Sequence, residues 1–145
     1  MTRLAKWDTV HYHQFLLDRA KVSFAWGTND CALYAADGVK AITGTDIADA
    51  FRGKYHDEAS AFALIKSVTG GSTVADAAAW CAEKHGLPEL PHPLMAQRGD
   101  LVVAKNADGT PIAGLVHLNG RHIVTVSTSG AVLLPITAVL RAWRV

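Results

Sequence analysis

The chain changes its hydrophobic period once, and that change constrains the fold more than any other feature. Before about residue 86, apolar side chains recur at helical spacing. Leu33, Ala36, Val39 and Ile42 fall on or near one face of a segment that opens at Asp30 and stops at Gly44. The run Leu87-Pro88-Glu89-Leu90-Pro91-His92-Pro93 then packs three prolines into seven residues, an extended connection too short to link two domains. Beyond it come short apolar runs separated by turn residues. Helices followed by strands imply an α+β fold, with N-terminal helices packed on a small C-terminal antiparallel β-sheet. A chain of 145 residues, half of them hydrophobic, is one domain with a substantial core. We divide 1–145 into a helical half at about 1–86, a proline-rich connection at 87–97 and a β half at 98–145.

The element pattern follows from caps and breakers. Asp8 is expected to cap a first helix running to about Ala20, with Val10, Phe15 and Leu16 turned inward. Asp46 to Phe51 reads as a short helix. A longer one covers about Asp57 to Val68 and stops at Gly70-Gly71, and Ser72 or Thr73 caps the next, which runs through Trp80 and Cys81 to Gly86. Strands are expected at Asp100–Lys105, Ile112–Leu118, Arg121–Ser127, Ala131–Leu134 and Arg141–Val145. Asn119-Gly120 is the strongest hairpin signal and is read as a two-residue turn pairing Leu118 with Arg121 and His117 with His122.

Composition excludes several functions. The net charge is +1 with both signs mixed, so no basic stripe points to nucleic acid. No stretch approaches the ~20 apolar residues of a membrane-spanning helix, and the N-terminus lacks the apolar run of a signal peptide. There is no Cys-x-x-Cys and no His-Glu-x-x-His, so neither a metal nor another cofactor is expected. Cys31 and Cys81 are expected to be free thiols.

Cys31 is the one residue placed for chemistry. It follows Asn29-Asp30 at the first position of a helix, where the helix dipole and free backbone N–H groups favour the thiolate. The bland reading is a small residue on an apolar helix face. Cys81, beside Trp80 among alanines, reads as core. Trp26 and Trp143 read as packing residues or as interface anchors. His11 and His13 read as solvated.

The segment FAWGTNDCALYAADGV, residues 24–39, resembles the nucleophile segment of the NlpC-type cell-wall cysteine peptidases, and Arg98-Gly99-Asp100-Leu101-Val102-Val103 resembles their P-G-D-L-V-F strand. With the closing Arg141-Ala142-Trp143-Arg144-Val145, most of the chain resembles a compact, phage-encoded relative of that family. The resemblance implies a papain-like fold with Cys31 as nucleophile. It also implies a histidine base opening the next strand, in a motif like H-V-G-I-Y-L-G-N-G. Ile112 to Gly120 matches that motif in length and pattern, but Ile112 stands where the histidine belongs, and isoleucine cannot accept a proton. His117 and His122 are the possible substitutes. Strand alternation points both away from Cys31 if Ile112 lies over it, unless a bulge intervenes. A second registration places His122 at the head of H-I-V-T-V-S-T-S-G.

Two functions follow from the resemblance. The first is a structural or assembly protein of a phage tail, at the tail tip, with a degenerate peptidase fold that binds other tail proteins. It would be made in the host cytoplasm and located in the virion tail. The alternative is an active cysteine peptidase that cleaves peptidoglycan peptides during genome entry, with Cys31 attacking and His122 or His117 as base.

Overall fold

The computed structural model describes residues 1–145. A π-helical turn at Trp7–Tyr12 leads into helix α1, His13–Arg19. Helices α2 (Cys31–Thr43), α3 (Glu58–Thr69) and α4 (Val74–Lys84) complete the helical half. Strands β1 (Leu101–Lys105), β2 (Pro111–Val116), β3 (His122–Ser127), β4 (Gly130–Pro135) and β5 (Val139–Trp143) form one antiparallel sheet in the order β4-β3-β2-β1-β5. The α+β arrangement expected from the sequence is therefore present.

The helix ends follow local chemistry. The Asp30 side chain caps α2 and Gly44 closes it in the left-handed region. Asp57 caps α3 through a reciprocal bond with Ser60, and Gly70 closes it. Thr73 and Asp76 form the equivalent box at α4.

The inner face of the sheet packs against α2 and α4, where Leu33, Val39, Leu101, Val103 and Leu115 share the main core. The outer face is covered too: Val102, Val116, Ile123 and Val139 form a second cluster under Leu90, Ile136 and Ala138. Burial on both faces explains why Leu101-Val102-Val103-Ala104 is a continuous apolar run rather than an alternating one.

Three local expectations are corrected. Residues 7–12 are π-helical, and the wider turn brings Tyr12 and Phe15 inward while Val10 stays exposed. Asp8 accepts from Thr9 N instead of capping an α-helix. Residues 47–53 form consecutive turns rather than a helix, and Asp46 ahead of them spends its oxygens on Ala48 N and the Arg52 guanidinium. The β2–β3 connection is a four-residue loop, Leu118–Arg121, rather than a two-residue turn. The Asn119 side chain accepts from both Arg121 N and His122 N and so holds the wider loop, while His117 N still bonds His122 O at 2.9 Å.

Candidate functional site

The site is built around the start of α2. Asp30 Oδ1 accepts from Leu33 N at 2.9 Å, and Oδ2 accepts from Gly27 N at 3.0 Å and from the Tyr55 hydroxyl at 2.5 Å. Gly27 permits that last contact. Its φ is +81°, and a Cβ there would lie 2.5 Å from Tyr55 O, so any side chain would push the Tyr55 segment away. Asn29, also buried, donates to Val22 O and Ser23 O and accepts from Arg19. Arg19 and Arg52 both bind Asp37 on α2, and Arg52 reaches on to Asp46. The helix start is thus fixed on three sides before any chemistry is considered.

Strand β2 forms the facing wall. Its registered pairs with β3 are Leu115↔Val124 and Val116↔Ile123. Toward Ala113 the ladder opens, and the Thr125 hydroxyl donates to Ala113 O at 2.8 Å. Gly114 lets β2 approach closely at the fork, since a Cβ there would sit 2.6 Å from Val124 O. The opening is a groove of about 420 Å³ lined by Cys31, Phe24, Asn106 and Ile112, by residues 125–128, and by Val132 and Leu134. No charged side chain and no imidazole lines it.

Burial pushes the Cys31 thiol up to about 11. Backbone N–H groups of Ala113, Ala32 and Cys31 itself pull the other way, and the Asp30 charge adds to the rise. Desolvation thus outweighs the converging N–H groups, the opposite of the direction that the helix-start position suggested. On the other side of the helix start, Ala32, Tyr55 and Ala113 also line a wholly apolar cavity of about 70 Å³ that reaches Cys81. Cys81 is core, and burial pushes its thiol up to about 12. Both cysteines are free.

The histidines lie elsewhere. Ile112 is near the start of β2 and His117 follows its end, five extended residues or about 16 Å further on. His122 is opposite His117 at the hairpin tip. Ile112 shares the rim of the groove but packs on the outer cluster, whereas Cys31 packs on the main core, so the expectation that Ile112 lies over the thiol is corrected: the β2 residue at the sulfur is Ala113, and no imidazole lines the groove. Trp143 is core at 2% exposure, whereas Trp26 is partly exposed and packs edge-on against Phe24 and toward Phe62. Tyr55 and Thr125 were not foreseen. Neither carries a local signal, since each acts on a residue far away in the chain.

Asp100 of the RGDLVV segment has an architectural role. It is fully buried, and it accepts from Arg3 at 3.1 Å, Arg144 at 3.0 Å, Val145 N at 3.1 Å and Gln97 N at 2.9 Å. It ties both chain ends to the start of β1.

Fold and site together define a single-sheet α+β protein with a half-buried thiol at a helix start, facing an uncharged groove. The chain belongs to a family described as a domain of unknown function, DUF6950, which it matches over residues 2–145. No curated protein matches it. No helix is long and apolar enough to cross a membrane, and no group of three or more histidine, cysteine or carboxylate side chains is placed to hold a metal ion.

Proposed function

We propose that this protein is a binding module with a degenerate NlpC-type, papain-like fold, and that it serves as a structural or assembly component of a phage tail, contacting other tail proteins at the tip. The observation that carries the loss of catalysis is the composition of the Cys31 groove. No imidazole lines it, the β2 residue beside the thiol is Ala113, which cannot accept a proton, and both candidate histidines sit at the hairpin tip. A thiol raised to about 11 by burial fits the same reading, because it disfavours the thiolate near neutral pH. The phage setting rests on the sequence resemblance.

Iodoacetamide alkylation of Cys31, followed by mass spectrometry, tests the thiol. The rate is expected to climb about tenfold per pH unit from pH 7 to 10, as it does for a group that titrates above that range. Purified protein is expected to release no soluble fragments from peptidoglycan sacculi. Release by the native chain that is lost in Cys31→Ala would overturn the reading in favour of the peptidase. In a phage carrying the gene, deletion is expected to abolish tails and Cys31→Ala to leave them intact.

A further inference from the structure

The β2–β3 hairpin tip holds two histidines in a bonding pattern that fixes their protonation. His117 Nδ1 lies 3.1 Å from Asn119 N. A backbone N–H can only donate, so Nδ1 of His117 must carry no proton. The Asn119 carboxamide is oriented just as firmly. Its Oδ1 accepts from Arg121 N at 2.8 Å and from His122 N at 3.0 Å, so its other end must be the amino group. That Nδ2 lies 3.0 Å from His122 Nδ1, which must therefore accept and also carry no proton. Both rings are held as the neutral tautomer with the proton on Nε2.

Protonating either ring at Nδ1 converts an acceptor into a donor aimed at another donor. It also places positive charge beside a second imidazole. The other charged groups at the tip do not relieve this. Arg121 is in the loop, and Arg98 packs from the turn before β1, 3.8 Å from where a Cβ on Gly120 would lie. The carboxylate on that side, Asp8, sits 3.9 Å from Arg98. From the helical side Tyr12 contributes only a hydroxyl bonded to Val116 O.

We propose that the hairpin tip, residues 117–122, is an acid-sensitive latch: closed while His117 and His122 are neutral, and opened by their protonation into a patch of four cations formed with Arg98 and Arg121. The sign follows from linkage. The closed tip binds fewer protons than the open one, so the His117 contribution to closure is complete above the ordinary histidine value of about 6.5 and is lost as pH falls below it toward the lowered value in the closed tip. Burial and the neighbouring His122 both hold the His117 pKa below its ordinary value, in keeping with this direction. The latch is independent of whether Cys31 reacts, because the tip and the groove occupy opposite ends of β2.

The test is a pH titration by ¹⁵N NMR with amide hydrogen exchange, on the native chain and on Asn119→Asp. At pH 7.5 both imidazoles are expected as Nε2–H tautomers. Between pH 7.5 and 5, exchange at Asn119 and His122 N–H is expected to accelerate at least tenfold relative to Val102 and Val103 in β1. Asn119→Asp keeps the oxygen that orders Arg121 and His122 but replaces the donor with a second acceptor that welcomes imidazolium. It is expected to raise the proton affinity of His122 about tenfold and to keep the tip closed at pH 5. An Nδ1–H tautomer in either ring at pH 7.5, pH-independent exchange, or Asn119→Asp opening at the same pH as the native chain would each overturn the latch.

Discussion

Asp30 and Asp100 are both buried carboxylates just ahead of a regular element, yet they are held in opposite ways. Asp100 meets two guanidinium groups and two backbone N–H groups drawn from both ends of the chain. Asp30 meets only neutral donors, two backbone N–H groups and one phenol. The first arrangement neutralises a charge and closes the fold. The second leaves a net negative charge next to a thiol, where it works against thiolate formation. The carboxylate with the strongest partners is thus architectural, and the one beside the candidate nucleophile adds to the rise that burial already imposes on the thiol.

Asp100→Ala breaks this comparison most severely. Removing the carboxylate strands Arg3 and Arg144 against a buried site and releases Val145 N. Loss of one partner from a buried pair costs about 3–5 kcal/mol. Urea denaturation followed by circular dichroism is expected to show a loss of that size with unchanged slope. A loss below about 1 kcal/mol would mean the chain ends are not tied through Asp100.

Tyr55→Phe tests the other corner with a smaller expected effect. It removes one neutral donor to a charged acceptor, a bond worth about 1.5–3 kcal/mol. Burial and Asp30 together hold the Tyr55 phenol protonated well above its ordinary range, so the bond and its loss are expected to be the same at pH 6 and pH 9. A loss that varies across that range in denaturation experiments would show that the phenol titrates there.

The two corners were not equally legible. The start of α2 is local: Asp30 caps three residues ahead and Gly44 stops the helix, so sequence pattern placed both ends. The partners of the corner are not local. Tyr55 comes from 25 residues away, out of a run of turns with no periodicity, and Thr125 acts through a break in a ladder that alternation alone leaves continuous. Asp100 could be read as the opening of a strand, but its contacts to Arg3 and Arg144 span 97 and 44 residues. The π-helical turn was missed because one extra residue per turn shifts the inward face from Val10 to Tyr12 without altering the apolar count. The opposition of His117 and His122 was legible from Asn119-Gly120. The four-residue loop was not, because the Asn119 side chain, rather than backbone turn geometry, sets it.

Tyr34 sharpens the comparison with the smallest expected change. It lies on α2 one turn beyond Cys31, fully buried, its ring 5.0 Å from that of Phe15. Its hydroxyl is the one buried side-chain polar atom without a hydrogen-bond partner. Burial raises its pKa to about 12 even though Arg19 pulls it down. No protein group bonds that hydroxyl, so deleting the oxygen while keeping the ring removes no protein contact. Tyr34→Phe is accordingly expected to leave stability unchanged or raise it by up to about 1 kcal/mol. The nearly isosteric Tyr55→Phe, in the connection between α2 and α3, has the opposite sign. If both substitutions destabilise equally, the Tyr34 hydroxyl has a partner, and the contrast between a bonded and an unbonded phenol at this corner collapses.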